Sequence, residues 1–440
     1  MKSKSILIIV LAIVLVGVCA LCALTIFGGY AWLNRVPGGV RLWNVANVSA
    51  QVQESQSFPV TTPTTLEVYS EAGSITVIAA DVENIEVELT RTAWAASEEE
   101  ALAAAEALPV TFAQTDNQLI IRYERNEGLD LVESRGGLDS VNFIIRVPAE
   151  TAVKLETHFG EISLTGTTGD ADLTSTFGDL SVADVTGALT IHGSQGDISV
   201  QNVDSGSEPI TLETSFGKVD VNGLTGGQMQ IHSSNGAITI GNLSSSDDVL
   251  VEDQFGDITL EQFSAVAATV NSSNGQVKIS SGDVDETLEV TNTFGNVIVQ
   301  KTNAAAYDLE TNNGELNLDG CRGTLTLTNN FGDVLVNQAE AATLIIKSTN
   351  GRISFSGSLD PASAHSIENS FGDIQLNIPA DSAFNIDFET HFGEINSDLP
   401  VTVSGSVSET NLEGTLNGGG LQLRATTSNG NISLKALVGK

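Results

Sequence analysis

The sequence predicts an all-β protein: a single-stranded β-helix, or β-solenoid, with repeats of about 19 residues, preceded by one transmembrane helix and a small β-rich cap with one short helix. Three observations predict it. An aromatic-Gly or Asn-Gly pair recurs from Phe159 to Asn429, most of the spacings being 18 to 21 residues. Around each pair apolar and polar residues alternate with period two, the signature of half-buried strands. Composition agrees, with 42 glycines, 5% aromatics and 41% hydrophobic residues. That is enough apolar surface for a core, spread over many short strands and tight turns.

The repeat unit is defined by aligning residues 210–224, 229–243 and 288–302. Positions 1 and 3 are mostly apolar, position 5 is a small polar residue, position 7 is Phe or Asn, and position 8 is Gly. Positions 10 and 12 are again aliphatic, as in Val219 and Val221 or Ile238 and Ile240. The heptapeptide ETHFGEI occurs twice, at 156–162 and 389–395. One unit cannot bury its apolar face alone; stacked units share a continuous core. Phe and Asn units alternate over most of the array, which allows a coil of one unit or of two. The one-unit coil is favoured, because a single unit already holds strands for three short sides. The 37-residue gap between Phe392 and Asn429 is read as hiding a degenerate unit near Gly414.

The remaining segments are assigned in chain order. Residues 1–5 form a short cytoplasmic tail. Residues 6–33 hold no charged side chain, and about 20 apolar residues suffice to span a bilayer, so they are read as a retained anchor rather than a signal peptide. Val18 and Leu21 precede Cys19 and Cys22 where a lipoprotein signal places small residues, which disfavours lipidation. Residues 34–63 are read as a tether and 64–150 as an N-terminal β-rich cap region. Within the cap a helix is expected over 97–108, from the Ser97–Glu100 capping box and Pro109 beyond its end. Residues 151–440 form the solenoid domain.

Charge excludes some functions. The net charge is −36, and the first 41 residues hold four bases and no acid, leaving 15 bases against 55 acids beyond them. Such a surface repels phosphate backbones, so nucleic acid is not an expected partner. Outside residues 6–33 the only cysteine is Cys321, so no disulfide framework or Cys-based metal site is expected.

Candidates for chemistry are few. The Phe row could be a stripe for stacking sugars, but Phe216 shares parity with Leu212 and Thr214, so interior filling is expected. The acids after the central glycines (Glu161, Asp179, Asp197, Asp257, Glu315, Asp333, Asp373 and Glu394) could suggest calcium. Lys218, Ala237, Gln276, Asn296 and Arg352 interrupt the row, and a solvated acidic edge is expected instead. The five histidines, including His192 and His232, are read as surface residues. No nucleophile, P-loop or dinucleotide motif is present. No catalytic, metal or cofactor-binding residue is assigned, and no enzyme activity is expected.

On the stretches ITVIAAD, SEEEALAAAEAL, FIIRVPAETAVKLETHFGEI, the GDI-type repeats and LNGGGLQLRATTSNGNISL, residues 57–440 resemble a bacterial family of β-strand-repeat proteins of unknown function. Its members are labelled putative adhesins and are related to head-GIN-domain auto-transporter adhesins. The resemblance implies a β-helix-like ectodomain on a membrane anchor and brings no binding residues with it. The expected function is a membrane-anchored extracellular adhesin or surface interaction protein. The expected location is the cell membrane, single-pass, with the C-terminal part outside. An envelope polymer or a surface protein is the expected kind of partner. The alternative is a non-catalytic accessory of envelope-stress sensing.

Overall fold

In the computed structural model, residues 48–124, 137–403 and 408–437 are described. The segments 1–5 and 6–33 lie outside them. Among the described residues no helix is long and apolar enough to cross a membrane.

Each repeat unit is one coil. Strand Ala171–Phe177 pairs in parallel with Leu189–Gln195, which pairs with Ile210–Phe216, and that with Met229–Asn235. The register advances 18, 21 and 19 residues at these steps. The two-unit coil is excluded, because consecutive units are the hydrogen-bonded neighbours. A coil has two corners inside its strand-rich part. The first is the central glycine. The second lies within the following strand at a residue with left-handed backbone, such as Asp184, Asn202, Gly223 or Asn242. Short polar side chains and glycine tolerate that conformation best.

The core is a stack of columns. Positions 1, 3, 10 and 12 point inward, as Ile210, Leu212, Val219 and Val221, all at most 1% exposed. The side after the second corner contributes Val185, Val203, Leu224, Leu243 and Phe263 in register. Volume is matched along this column. Phe263 faces Gly282 on the next coil, where an added Cβ would lie 2.3 Å from the Phe263 ring.

The N-terminal end differs from expectation in two ways. Strands β1 (Val48–Pro59), β2 (Thr64–Ala72), β3 (Ile75–Ala79) and β4 (Asn84–Ala95) come first, then helix α1 (Glu98–Ala107). Strands β5 (Val110–Gln114), β6 (Gln118–Tyr123) and β7 (Ser140–Val147) follow. The expected tether 34–63 contains β1, which pairs antiparallel with β4 over its whole length. Its scattered apolar residues, Val48, Ala50, Val52 and Phe58, alternate on one side of that strand. The expected cap 64–150 contains the first coil itself. Strand β2 pairs with Thr151–Phe159 and β3 with Ile162–Thr165, so both already lie in the solenoid ladders. Strands β6 and β7 sit on their other edges. Antiparallel β5, β4 and β1, with α1 packed on β1 and β4, then close that end. The parallel ladders of the solenoid are thereby not left open at this end; the free edges there belong to β1 and β5. The helix starts as the capping box predicts, the Ser97 hydroxyl accepting from Glu100 N–H at 3.3 Å.

At the C-terminal end the chain does not stack in order. Strand His365–Phe371 pairs with Gln422–Asn429, and that strand pairs with Phe384–Phe392. The last coil of the sequence is therefore inserted beneath the one before it. Residues around Gly414 are not a degenerate coil. They form strand Asn411–Leu416, antiparallel to Phe384–Phe392, with Val401–Val403 antiparallel beyond it. These two strands close the second end.

Candidate functional site

The central glycines explain why the Phe row lies where it does. In Ile210–Phe216 burial alternates through Thr214, and then Ser215 and Phe216 both face solvent. Gly217 turns the corner at φ +150°. Successive glycines stack so closely that a Cβ on Gly236 would lie 2.0 Å from Gly217 O. The glycine carbonyls are met from inside by the position-5 side chains. Asn292 Nδ2 donates to Gly275 O at 3.0 Å and to Gly295 O at 3.1 Å. Asn329 does the same with Gly314 and Gly332, and Ser175 donates to Gly160 O at 3.2 Å. The inner corner is thus closed by backbone and filled by a polar column. A phenyl ring has no place there, and the break in alternation sends position 7 outward.

The expectation that the Phe row fills the interior is therefore wrong. Its members are 40% (Phe177) to 75% (Phe392) exposed, and Phe255 and Phe294 are 55% and 51% exposed. Parity read across the strand fails because two consecutive residues before the glycine face solvent.

The row is ordered in space. From the N-terminal side it runs Phe159, Phe177, Gln195, Phe216, Asn235, Phe255 and Asn274. It continues Phe294, Asn313, Phe331, Asn350, Phe371, Asn429 and Phe392. From Phe177 onward phenyl and amide alternate without a break. The sequence breaks that alternation, because Phe392 follows Phe371. The inserted C-terminal coil restores it by placing Asn429 between them. Sterics do not impose it: Phe159 and Phe177 are adjacent and stack at 4.9 Å between centroids and 1° between planes. The amides lie against the backbone; Asn235 Nδ2 reaches Ser215 O and Asn350 Nδ2 reaches Asn330 O, both at 3.4 Å. The result is a ridge of phenyl rings separated by amide-floored notches.

In the acidic row beside the ridge the aspartates are a structural device, whereas Glu161 and Glu394 face solvent. Asp179 Oδ1 accepts from Asp197 N–H, Asp197 from Lys218 N–H and Asp333 from Arg352 N–H, each at 2.8 Å. Asn296 accepts from Glu315 N–H in the same way, at 2.9 Å. A short carboxylate or amide at position 9 thus satisfies the N–H one coil away, which explains why Asp and Asn interchange. Among the described residues no three His, Cys, Asp or Glu side chains converge to hold a metal ion.

The other titratable groups are placed as follows. His192 and His232 face outward beside Glu213 and Glu252, at 3.0 and 3.8 Å. His365 is not a surface residue: it is 2% exposed, accepts from Leu344 N–H at Nδ1 and donates from Nε2 to Asp360 O. Burial holds its pKa below the usual imidazole value. Cys321 is buried in the core, and burial pushes its thiol up to about 12, leaving it protonated and unreactive. Asp253 takes a place in the inner polar column, 3% exposed, and burial pushes its carboxyl up to about 6. Sequence reasoning missed this column, although the small polar residue at position 5 was its signal.

The Toastrack DUF4097 family model matches residues 64–287 and again 264–435. Two solved structures are similar. One is a putative adhesin from Bacteroides fragilis, 11% identical, covering 61% of this chain and 96% of its own, with a TM-score of 0.27. The other is a putative cell adhesion protein from Clostridium sporogenes, 9% identical, covering 88% of this chain and all of its own, with a TM-score of 0.16. No curated protein matches the chain.

Proposed function

The chain belongs to the Toastrack DUF4097 family, and we propose that it is a non-catalytic interaction protein of adhesin type, held in the membrane by residues 6–33 and displayed outside the cell. The observation that carries this reading is the exposed ridge. Solvated phenyl rings cost solubility, and a protein that repeats them in register along one edge gains a contact surface in return. The acidic remainder, 15 bases against 55 acids beyond residue 41, keeps such a rod dispersed and limits contact to the ridge. The uncharged stretch 6–33 supports the anchor.

Binding of the full chain to isolated cell envelopes tests the reading. The Phe255→Ser, Phe294→Ser and Phe331→Ser triple variant should bind about ten-fold or more weakly with an unchanged melting temperature. Equal binding of the two proteins would remove the ridge as the contact surface. Protease added to intact protoplasts should degrade the region beyond residue 33, and a mature N-terminus beyond that point would overturn the anchor.

A further inference from the structure

The ridge has a fixed period, and that period selects a class of occupant. Coils repeat at ~4.8 Å, so phenyl positions on alternate coils recur at ~9.6 Å along the stack. The ridge is one side chain wide, whereas a stable protein interface needs a patch of ~800 Å² on each partner. A linear polymer lying along the axis suits it better than a globular surface. Acids flank the ridge at Asp257, Glu315 and Asp333, and the chain carries −36 overall, which disfavours anionic polymers and a second copy of this chain alike. The opposite flank is hydroxyl- and amide-rich, with Ser215, Ser273, Thr293 and Asn330 at position 6.

We propose, on the reading that this ridge is the contact surface, that it binds an extended, uncharged β-linked polysaccharide running parallel to the solenoid axis. In such a chain one pyranose advances by about the length of one coil, and alternate rings present equivalent faces. Every second sugar therefore meets a phenyl ring, against which its axial C–H groups are removed from water. The intervening sugar lies over an Asn or Gln amide, which offers both a donor and an acceptor to hydroxyl groups. A helical or α-linked chain drifts out of this register within a few residues. The spatial insertion of Asn429 between Phe371 and Phe392 keeps the register to the end of the rod.

The test is retention of the full chain in detergent by insoluble cellulose and chitin, with amylose and alginate as the α-linked and anionic comparisons. Calorimetric titration with cello- and chito-oligosaccharides of increasing length accompanies it. We expect retention on cellulose or chitin, weak retention on the other two, and affinity that rises with each added disaccharide. The Phe255→Ser, Phe294→Ser and Phe331→Ser triple variant should lose about ten-fold or more of the affinity while melting as the wild type does. Binding unaffected by the triple variant, or equal on all four polymers, overturns the inference. Absence of binding to both β-linked polymers, with envelope binding still lost in the triple variant, overturns the glycan assignment and leaves the ridge as the contact surface. Concentration-dependent dimerisation abolished by the triple variant overturns it in favour of a second copy of the chain.

Discussion

Asp253 occupies a position that the other coils fill with Ser, Thr or Asn, apart from Gly193, and the difference is a proton. Asn292 and Asn369 donate to the glycine carbonyls on both sides of them. An ionised Asp253 has no proton to donate, and its Oδ2 is buried without a partner. Burial raises its pKa to about 6, against the pull of the Phe255 and Gln254 N–H groups and of His232. A carboxyl whose folded pKa exceeds the unfolded ~3.9 contributes most below pH ~4 and loses that contribution as pH rises towards 6. Asp253→Asn should therefore raise stability by about 2–3 kcal/mol above pH ~6.5 and by almost nothing below pH ~4. Urea midpoints of the two proteins at pH 4 and pH 7.5 check this. His365, whose pKa is lowered, works in the opposite sense: its contribution disappears as pH falls below ~6.5. That background is common to both proteins and cancels in the difference. The outward Phe row sets a second residue-level expectation. Phe294→Ala should cost less than about 0.5 kcal/mol, as exposed substitutions usually do. Phe355→Ala, at a fully buried phenyl, should cost about 3–5 kcal/mol. Equal losses at both sites would mean that the row is interior after all.

The corner of each coil is the element on which the fold depends. A glycine is required there by the approach of the neighbouring coil and, at most of the corners, also by its positive φ. Gly236→Ala places a Cβ 2.0 Å from Gly217 O at φ +149°, so the backbone must shift, at about 2–4 kcal/mol. Gly241, in the strand that follows, is the control. An added Cβ there meets nothing closer than 3.7 Å, and Gly241→Ala should be neutral or stabilising by up to about 1 kcal/mol, through the unfolded chain. Thermal melts of both variants, followed by far-UV circular dichroism, separate the cases. If both substitutions behave alike, glycine serves the corner only by sequence habit. In a stack of coils the Gly236 loss should also appear as an early, local transition, since each coil contacts only its neighbours.

At the scale of the molecule, the order of coils at the C-terminal end decides how truncation acts. Removing residues 379–440 leaves the coil Ile367–Ile378 as a single open end. Removing residues 421–440 takes away fewer residues but extracts an internal layer, because Gln422–Asn429 lies between His365–Phe371 and Phe384–Phe392. Unpaired strand edges then face each other across the gap and invite association. The shorter deletion should therefore aggregate more than the longer one, as read by sedimentation velocity on the soluble fraction. The reverse order would contradict the insertion.

The repeat, its length and its strands were legible in the sequence because burial on a stack of coils demands period-two alternation, and that is a local pattern. The helix over Glu98–Ala107 was legible for the same reason, since the Ser97 cap and the three acids after it act within one turn. Tertiary structure alone decided what the local pattern leaves open. Parity predicts the side of a residue only while the strand stays regular, and the turn at each central glycine breaks it just before Phe216 and Phe294. Pairing partners are decided by contacts between segments far apart in the chain, which no local pattern encodes. Hence β1 lay unseen within the expected tether, β2 and β3 joined the solenoid as its first coil, and the last coil entered beneath its predecessor. The phenyl–amide alternation is the clearest case: sequence order breaks it between Phe371 and Phe392, and folding restores it, because register follows hydrogen-bonded neighbours and not the order of the chain.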